Sequence, residues 1–313
     1  MLILGEVRTC LLHNSGPLPR NATTELLGLL SGQQVLFTER PIGRAVSPEM
    51  AVGVDCRLAA EPRAKARAVG TVISRASITG GLVLQGSAMT RVHRTASNHR
   101  LAWSHYMARP GVVEVIGKVP ATALASGYLA DEFPVSTLDL GSVSEHVIAS
   151  VQRRPQLDHV TVIRARPTRV RWAAVVRDAD APTAKVAVTG ETVRTVSLEV
   201  REDQLGLVAQ FCEDFALHDW LLTTLGQVVE RAERGGFAGQ EPIDILGSAV
   251  ERLLHLWMPG AHVDPVMCTI WDALDRRPGL TRQWNARVSW IRDQIALKTL
   301  QALEVSRRGS AEW

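Results

Sequence analysis

Val193-Arg194-Thr195-Val196-Ser197-Leu198-Glu199-Val200-Arg201-Glu202-Asp203-Gln204-Leu205-Gly206-Leu207-Val208 is the stretch in which the period of the chain changes. Up to Val200 apolar and polar residues alternate, as on a half-buried strand. From Leu205 onward, Leu205, Val208, Cys212, Phe215, Leu222, Leu225 and Val229 follow helical spacing. Glu202 and Asp203 place acid at the helix start, where it complements the macrodipole. The spacing predicts a β-rich region over 1–200, a helical module over 201–306 and a flexible tail over 307–313. The fold class expected is α+β, with antiparallel strands followed by a helical bundle.

On the N-terminal side, Met1–Leu12 reads as a first strand, Thr23–Leu30 as a short helix, and 34–38 and 51–58 as strands. Residues 59–68 read as a surface loop. Val69–Ile78 and Leu82–Val92 flank Thr79-Gly80-Gly81, a hairpin signal, because glycine supplies the positive φ of tight turns. Gly111–Val119 is a further strand, and 139–153 has helical spacing. Val170, Trp172, Ala174 and Val176 alternate with Arg169, Arg171 and Arg177. Together with 184–188 and 193–200 they predict an antiparallel meander with the arginines on its solvated face.

On the C-terminal side, Gly235-Gly236 breaks the first helix. Ile243–Met258 is stopped by Pro259-Gly260. Asp264-Pro265 is an N-cap followed by proline at the first helical position, and opens a third helix. Thr281–Val305 is the last. Five of the eight tryptophans lie in this part: Trp220, Trp257, Trp271, Trp284 and Trp290.

Composition narrows the function classes. The chain has 313 residues, 46% hydrophobic and 21% charged, enough to bury a core without metals or disulfides. The formal charge of +3 is too small to demand a polyanionic partner. Its distribution is uneven: residues 1–200 hold 23 Lys+Arg against 16 Asp+Glu, and residues 201–313 hold 12 against 16. The two halves therefore attract each other or present separate fields to a partner. Cys10, Cys56, Cys212 and Cys268 contain no CxxC pair, which suits reduced thiols. The N-terminus lacks the apolar run of a signal peptide, and no stretch has the ~20 apolar residues of a membrane span. A soluble cytoplasmic protein is expected.

P-loop, HExxH, GxSxG and dinucleotide-binding GxGxxG patterns are absent, which argues away from an enzyme and gives no cofactor. Trp103-Ser104-His105-Tyr106-Met107-Ala108-Arg109-Pro110 gathers a base, a phenol and a guanidinium, making His105, Tyr106 and Arg109 the catalytic candidates. His218-Asp219 are helical neighbours pointing about 100° apart, so His218 is expected to meet Asp214 or Leu222, four residues away, in a structural pair on a packing face. His255, His262, Asp264 and Cys268 are metal-ligand types in a nonstandard pattern, and no metal is expected. Arg164, Arg166, Arg169 and Arg171 form a candidate basic patch. Trp172 alternates away from it, so a solvated sheet face or an acidic protein partner is preferred to nucleic acid. A buried core is the default reading of the tryptophan series; the alternative makes Trp220, Trp257, Met258 and Trp271 a candidate protein interface, since tryptophan is enriched at binding hot spots.

Five stretches carry a resemblance: Leu4-Gly5-Glu6-Val7-Arg8-Thr9-Cys10-Leu11-Leu12, Trp103-Ser104-His105-Tyr106, Leu217-His218-Asp219-Trp220-Leu221-Leu222, Leu256-Trp257-Met258-Pro259-Gly260 and Arg292-Asp293-Gln294. With them the chain resembles a conserved actinobacterial family of about this length, which has no assigned activity, so no catalytic residue carries over. Members are encoded beside other proteins, including a variant P-loop protein and a methyltransferase-like protein. The resemblance thus implies a component of a multi-protein system. The function expected is a non-enzymatic assembly or adaptor protein binding partners, or itself, through the tryptophan-rich helical face. The alternative is an enzyme or small-ligand binder with a cleft near residues 103–110.

Overall fold

The computed structural model describes residues 1–60, 66–95, 99–130, 136–161, 163–177, 181–234 and 242–309. The expected break at Gly235-Gly236, residues 61–65 of the expected loop and residues 310–313 of the expected tail lie outside these.

The fold is α+β. Its strands are β1 (Leu2–Leu11), β2 (Leu36–Thr38), β3 (Arg44–Val46), β4 (Met50–Leu58), β5 (Ala66–Thr79), β6 (Val83–Arg94), β7 (Val112–Ile116), β8 (Thr168–Val176), β9 (Thr183–Val188) and β10 (Val193–Val200). The helices are α1 (Arg20–Leu26), α2 (Trp103–Met107), α3 (Ala121–Leu129), α4 (Leu140–Gln152), α5 (Val208–Glu233), α6 (Pro242–Leu253), α7 (Pro265–Arg276) and α8 (Leu280–Gly309). Short 3-10 turns occupy 202–207 and 254–256. α8 runs on through Arg307, where a tail was expected.

All ten strands join one mixed sheet. β1 lies at its centre, antiparallel to β6 on one side and to β8 on the other. The expected meander is corrected here: β10, not β9, lies beside β8, and the two run parallel. Burial explains the choice. Val196, Leu198 and Val200 of β10 are fully buried, whereas β9 is mostly exposed and suits an edge. β6 and β7 are the other parallel pair.

Helices cover both faces. On one, α3 and α4 pack over β1, β6 and β8. On the other, α5 lies across β1, β6 and β8 and is itself covered by α6, α7 and α8. α5 is therefore buried nearly all round, with Phe211, Cys212, Phe215, Trp220 and Leu225 in the core. The cores cross residue 201: Leu11, Leu82 and Val83 share a cluster with Trp220, Leu253 and Trp284. Two close approaches set the layer spacing. The Trp172 indole lies over Gly5, its cross-strand partner, where a Cβ would meet the ring at 2.2 Å. At Gly86 a Cβ would meet the Ser144 carbonyl oxygen of α4 at 2.4 Å.

The charge split of the sequence is partly internal. Acidic residues of α5 face arginines of the sheet: Glu213 meets Arg44 and Arg75, and Asp219 meets Arg194 at 3.0 Å. No helix among the described residues is long and apolar enough to cross a membrane.

Candidate ligand-binding cleft

Where the N-terminal end of α5 leaves the sheet, a cleft of about 550 Å³ opens between the turn at 205–206, β3, β5, β6 and His262. That volume is within the range of small-molecule sites. One wall is apolar, with Ile3, Ile73, Met89, Leu205 and Ala209. The opposite end holds Arg44, Arg75, Glu49 and Glu213.

The sheet and α5 build the charged end together. β3 pairs with β5, which places Arg44 and Arg75 on the face covered by α5. Glu213 lies directly above them. Arg75 donates through Nε to Oε1 at 2.8 Å and through Nη2 to Oε2 at 2.9 Å, a bidentate pair. Arg44 Nη2 donates to Oε2 at 2.6 Å, and the Ser87 hydroxyl donates to Oε1 at 2.7 Å. Burial alone would raise the Glu213 pKa. The guanidiniums of Arg75 and Arg44 and the hydrogen bonds from Arg75 and Ser87 outweigh it and hold the carboxyl down at about 2. Glu213 is therefore a permanent anion whose acceptor capacity is largely used, and a poor proton-transfer group near neutral pH.

Donors remain around it. Arg44 Nε is a buried donor without a hydrogen-bond partner among the described residues; His262 Nε2 also lacks one, but as the free nitrogen of a neutral ring that bonds the Ile42 backbone it is an acceptor. Arg75 Nη1 lies 3.7 Å from Glu49. Burial, then the nearby Arg44 charge, lowers the His262 pKa, so its ring is neutral. Arg91 adds a third guanidinium to the lining. Buried donors without acceptors are uncommon in native proteins and mark places where a ligand or water completes the network.

A second polar system fixes the loop that carries His262. His218 of α5 donates through Nδ1 to the Asp214 carbonyl at 2.7 Å, and its Nε2 accepts the Met258 amide at 3.1 Å. The Asp214 carboxylate accepts the Gly260 amide at 2.8 Å. Thus α5 grips the loop by two backbone groups, and Trp257 stacks on Trp284 with ring centroids 4.4 Å apart. The expected His218–Asp214 pair exists as a structural one, through the backbone carbonyl, with the carboxylate at 3.7 Å.

The sequence candidates are distributed differently from expectation. The segment 103–107 is a short helix. His105 Nε2 meets Glu114 at 2.9 Å, and Arg109 meets the same carboxylate. The buried Tyr106 ring packs edge-on against His105, with centroids 5.2 Å apart, but its hydroxyl accepts the Leu101 amide at 3.0 Å and does not join the carboxylate. None of the three lines the cleft, although the adjoining Pro110 and Gly111 do.

Trp220 and Trp271 are 0% and 5% exposed, so neither belongs to an exposed protein-binding face. Their indoles fill the cores on α5. Trp257 is half-buried against Trp284, and Met258 is exposed. The basic patch divides as well. Arg169 donates to Glu6 at 2.7 Å, and Arg171 lies 3.5 Å from the same buried carboxylate while donating to the Ala130 carbonyl at 2.8 Å. Their acidic partner is thus internal, beneath α3 and α4. Arg166 pairs with Glu191 at 2.8 Å on the surface, and the Arg164 carbonyl accepts from Arg231.

The four metal-ligand types are used separately. Asp264 caps α7 by accepting the Val266 amide, Cys268 donates weakly to the Val263 carbonyl, and His262 lines the cleft. His255 sits in the 3-10 turn after α6. Among the described residues no group of three or more His, Cys, Asp or Glu is placed to hold a metal ion.

Arg44, Arg75 and Glu213 were not singled out from the sequence. They are far apart in the chain, and only the register of β3 on β5 and the seating of α5 unite them. No family model matches the chain, and neither a curated protein nor a solved structure matches it.

Proposed function

We propose that the protein binds a small organic anion in the cleft at the N-terminal end of α5. The anionic oxygens face Arg44 and Arg75, and an apolar body lies along Ile3, Ile73, Met89 and Leu205. The observation that carries this reading is the pair of arginines held on one buried carboxylate in the lining of a cleft of about 550 Å³. Glu213 fixes both guanidiniums before a ligand arrives, which lowers the ordering cost of binding. Counted over Arg44, Arg75, Arg91, Glu49 and Glu213, the lining carries one net positive charge. A monoanion suits that balance.

The reading is tested with matched pairs of probes, such as hexanoate against hexanol and butyl phosphate against butanol. Thermal stabilisation by the anions alone, lost in Arg75→Gln, supports it. Equal effects of anion and alcohol, or unchanged stabilisation in Arg75→Gln, overturn it.

A further inference from the structure

The first half of α8 is explained by the fold. Trp284, Val288 and Ile291 are buried against α5 and α6, and among the described residues Ile295 is the last apolar one packed on that cluster. Beyond it the helix continues to Gly309, and Leu297, Leu300 and Leu303 are 52%, 59% and 61% exposed. Leucine favours helix, but propensity does not place leucines on one face. With about 100° per residue, Asp293, Leu300 and Arg307 form one stripe, and Leu297 and Leu303 flank it on either side. Lys298 lies on the opposite face and Thr299 to one side.

The leucines and the terminal charges of this face are symmetric about Leu300, although Ala296 and Glu304, about 40° to either side of it, are not alike. Leu297 and Leu303 stand three residues before and after it, and Asp293 and Arg307 stand seven before and after it. A second α8 laid antiparallel, with a two-fold axis at Leu300, sets Leu300 against Leu300, brings Leu297 level with Leu303 of the second copy, and opposes Asp293 to Arg307 at both ends. A parallel arrangement instead sets Asp293 against Asp293 and Arg307 against Arg307, which is repulsive. Charge thus selects the antiparallel form and a second copy as the occupant. An isologous two-fold contact of this kind is the commonest route to homodimers.

We propose that the protein forms an antiparallel homodimer through the projecting half of α8, centred on Leu300. The contact is independent of the cleft. The test is light scattering on the full chain over a concentration series, with oxidative cross-linking of single Leu300→Cys and Leu297→Cys variants. The background is set by the unsubstituted chain, whose Cys56 and Cys268 are half-buried. The expected result is a concentration-dependent dimer, cross-linked roughly tenfold faster through position 300 than through position 297, and weakened at least roughly a hundredfold by Leu300→Glu. All these side chains are exposed, so the variants keep the fold. A monomer up to high concentration overturns the proposal, as does a dimer that survives Leu300→Glu. Equal cross-linking at both positions overturns the antiparallel register.

Discussion

His218 Nε2 accepts the backbone amide of Met258 at 3.1 Å, across 40 residues of sequence, from inside the core. The bond requires the neutral ring with its proton on Nδ1, where it donates to the Asp214 carbonyl. Burial lowers the His218 pKa in the same direction. Protonation would set two donors against each other and release the loop bearing His262.

This fixes a sign for pH. A histidine whose folded pKa is depressed contributes stability that is complete above its unfolded value, 6.5, and is lost as pH falls below it. Thermal denaturation followed from pH 8 to pH 5 is expected to show a decline in the wild type. Removing the ring in His218→Ala leaves a cavity and an unpaired amide, at a cost of about 2–4 kcal/mol. An unchanged melting temperature in that variant would refute the bracing role.

Glu213 acts in a lower window. Its pKa falls from 4.5 unfolded to about 2 folded, so its contribution is complete above about pH 5 and is lost as pH falls toward 2. The contribution is on the order of 3 kcal/mol. Glu213→Gln, which leaves Arg44 buried without its anion, is expected to destabilise by about 3–5 kcal/mol near neutral pH. It should also flatten the acid limb of the stability curve. Urea unfolding at pH 7 and pH 3 separates the two effects.

How much of this was legible in the sequence differs from residue to residue. The change of period after Val200 and the Asp264-Pro265 cap placed the long helices, because apolar spacing and capping are local signals. α3 escaped notice: Ala121–Leu129 buries Leu124, Ala125, Gly127 and Tyr128, small residues with weak periodicity. The parallel seating of β10 depends on which strand buries more surface, a tertiary property. The same holds for the arginines. Arg169 and Arg171 alternate like a solvated face, but Glu6, interrupting an apolar β1, was the signal that this face is covered. Arg44, Arg75 and Glu213 had no local mark, since an ion network is created by register. Five of the eight tryptophans lie within residues 202–306, yet tryptophan anchors a core as readily as an interface, and only burial separates the two.

Gly5 and Trp172 form a pair that chemistry can exchange. Gly5→Ala drives a Cβ into the indole and is expected to cost about 3 kcal/mol or more, since neither the central strand nor the buried ring has room to move. A smaller ring-free partner, Trp172→Leu, opens a cavity alone but should partly rescue Gly5→Ala. A double-mutant cycle in denaturant measures the coupling. Strict additivity would contradict the packing described.

The thiols should divide by burial. Desolvation pushes the Cys10 thiol up to about 12 and the Cys212 thiol well above its ordinary value. Both should resist iodoacetamide in the native state. Burial also raises Cys56, to about 11, and Cys268. These two are partly accessible and should label first, though slowly. Rapid native labelling of Cys212 would show that α5 leaves the sheet.

The central claim is that Arg44 and Arg75, held by Glu213, receive an anion. The most direct measurement is nitrogen-15 NMR of the arginine Nε–H groups during titration with hexanoate and with butyl phosphate. The account predicts saturable shifts at Arg44 and Arg75, absent with the matching alcohols, and lost at Arg44 in Arg75→Gln protein that remains folded. Shifts spread evenly over the surface arginines, or none at Arg44 and Arg75 while other residues respond, would contradict it.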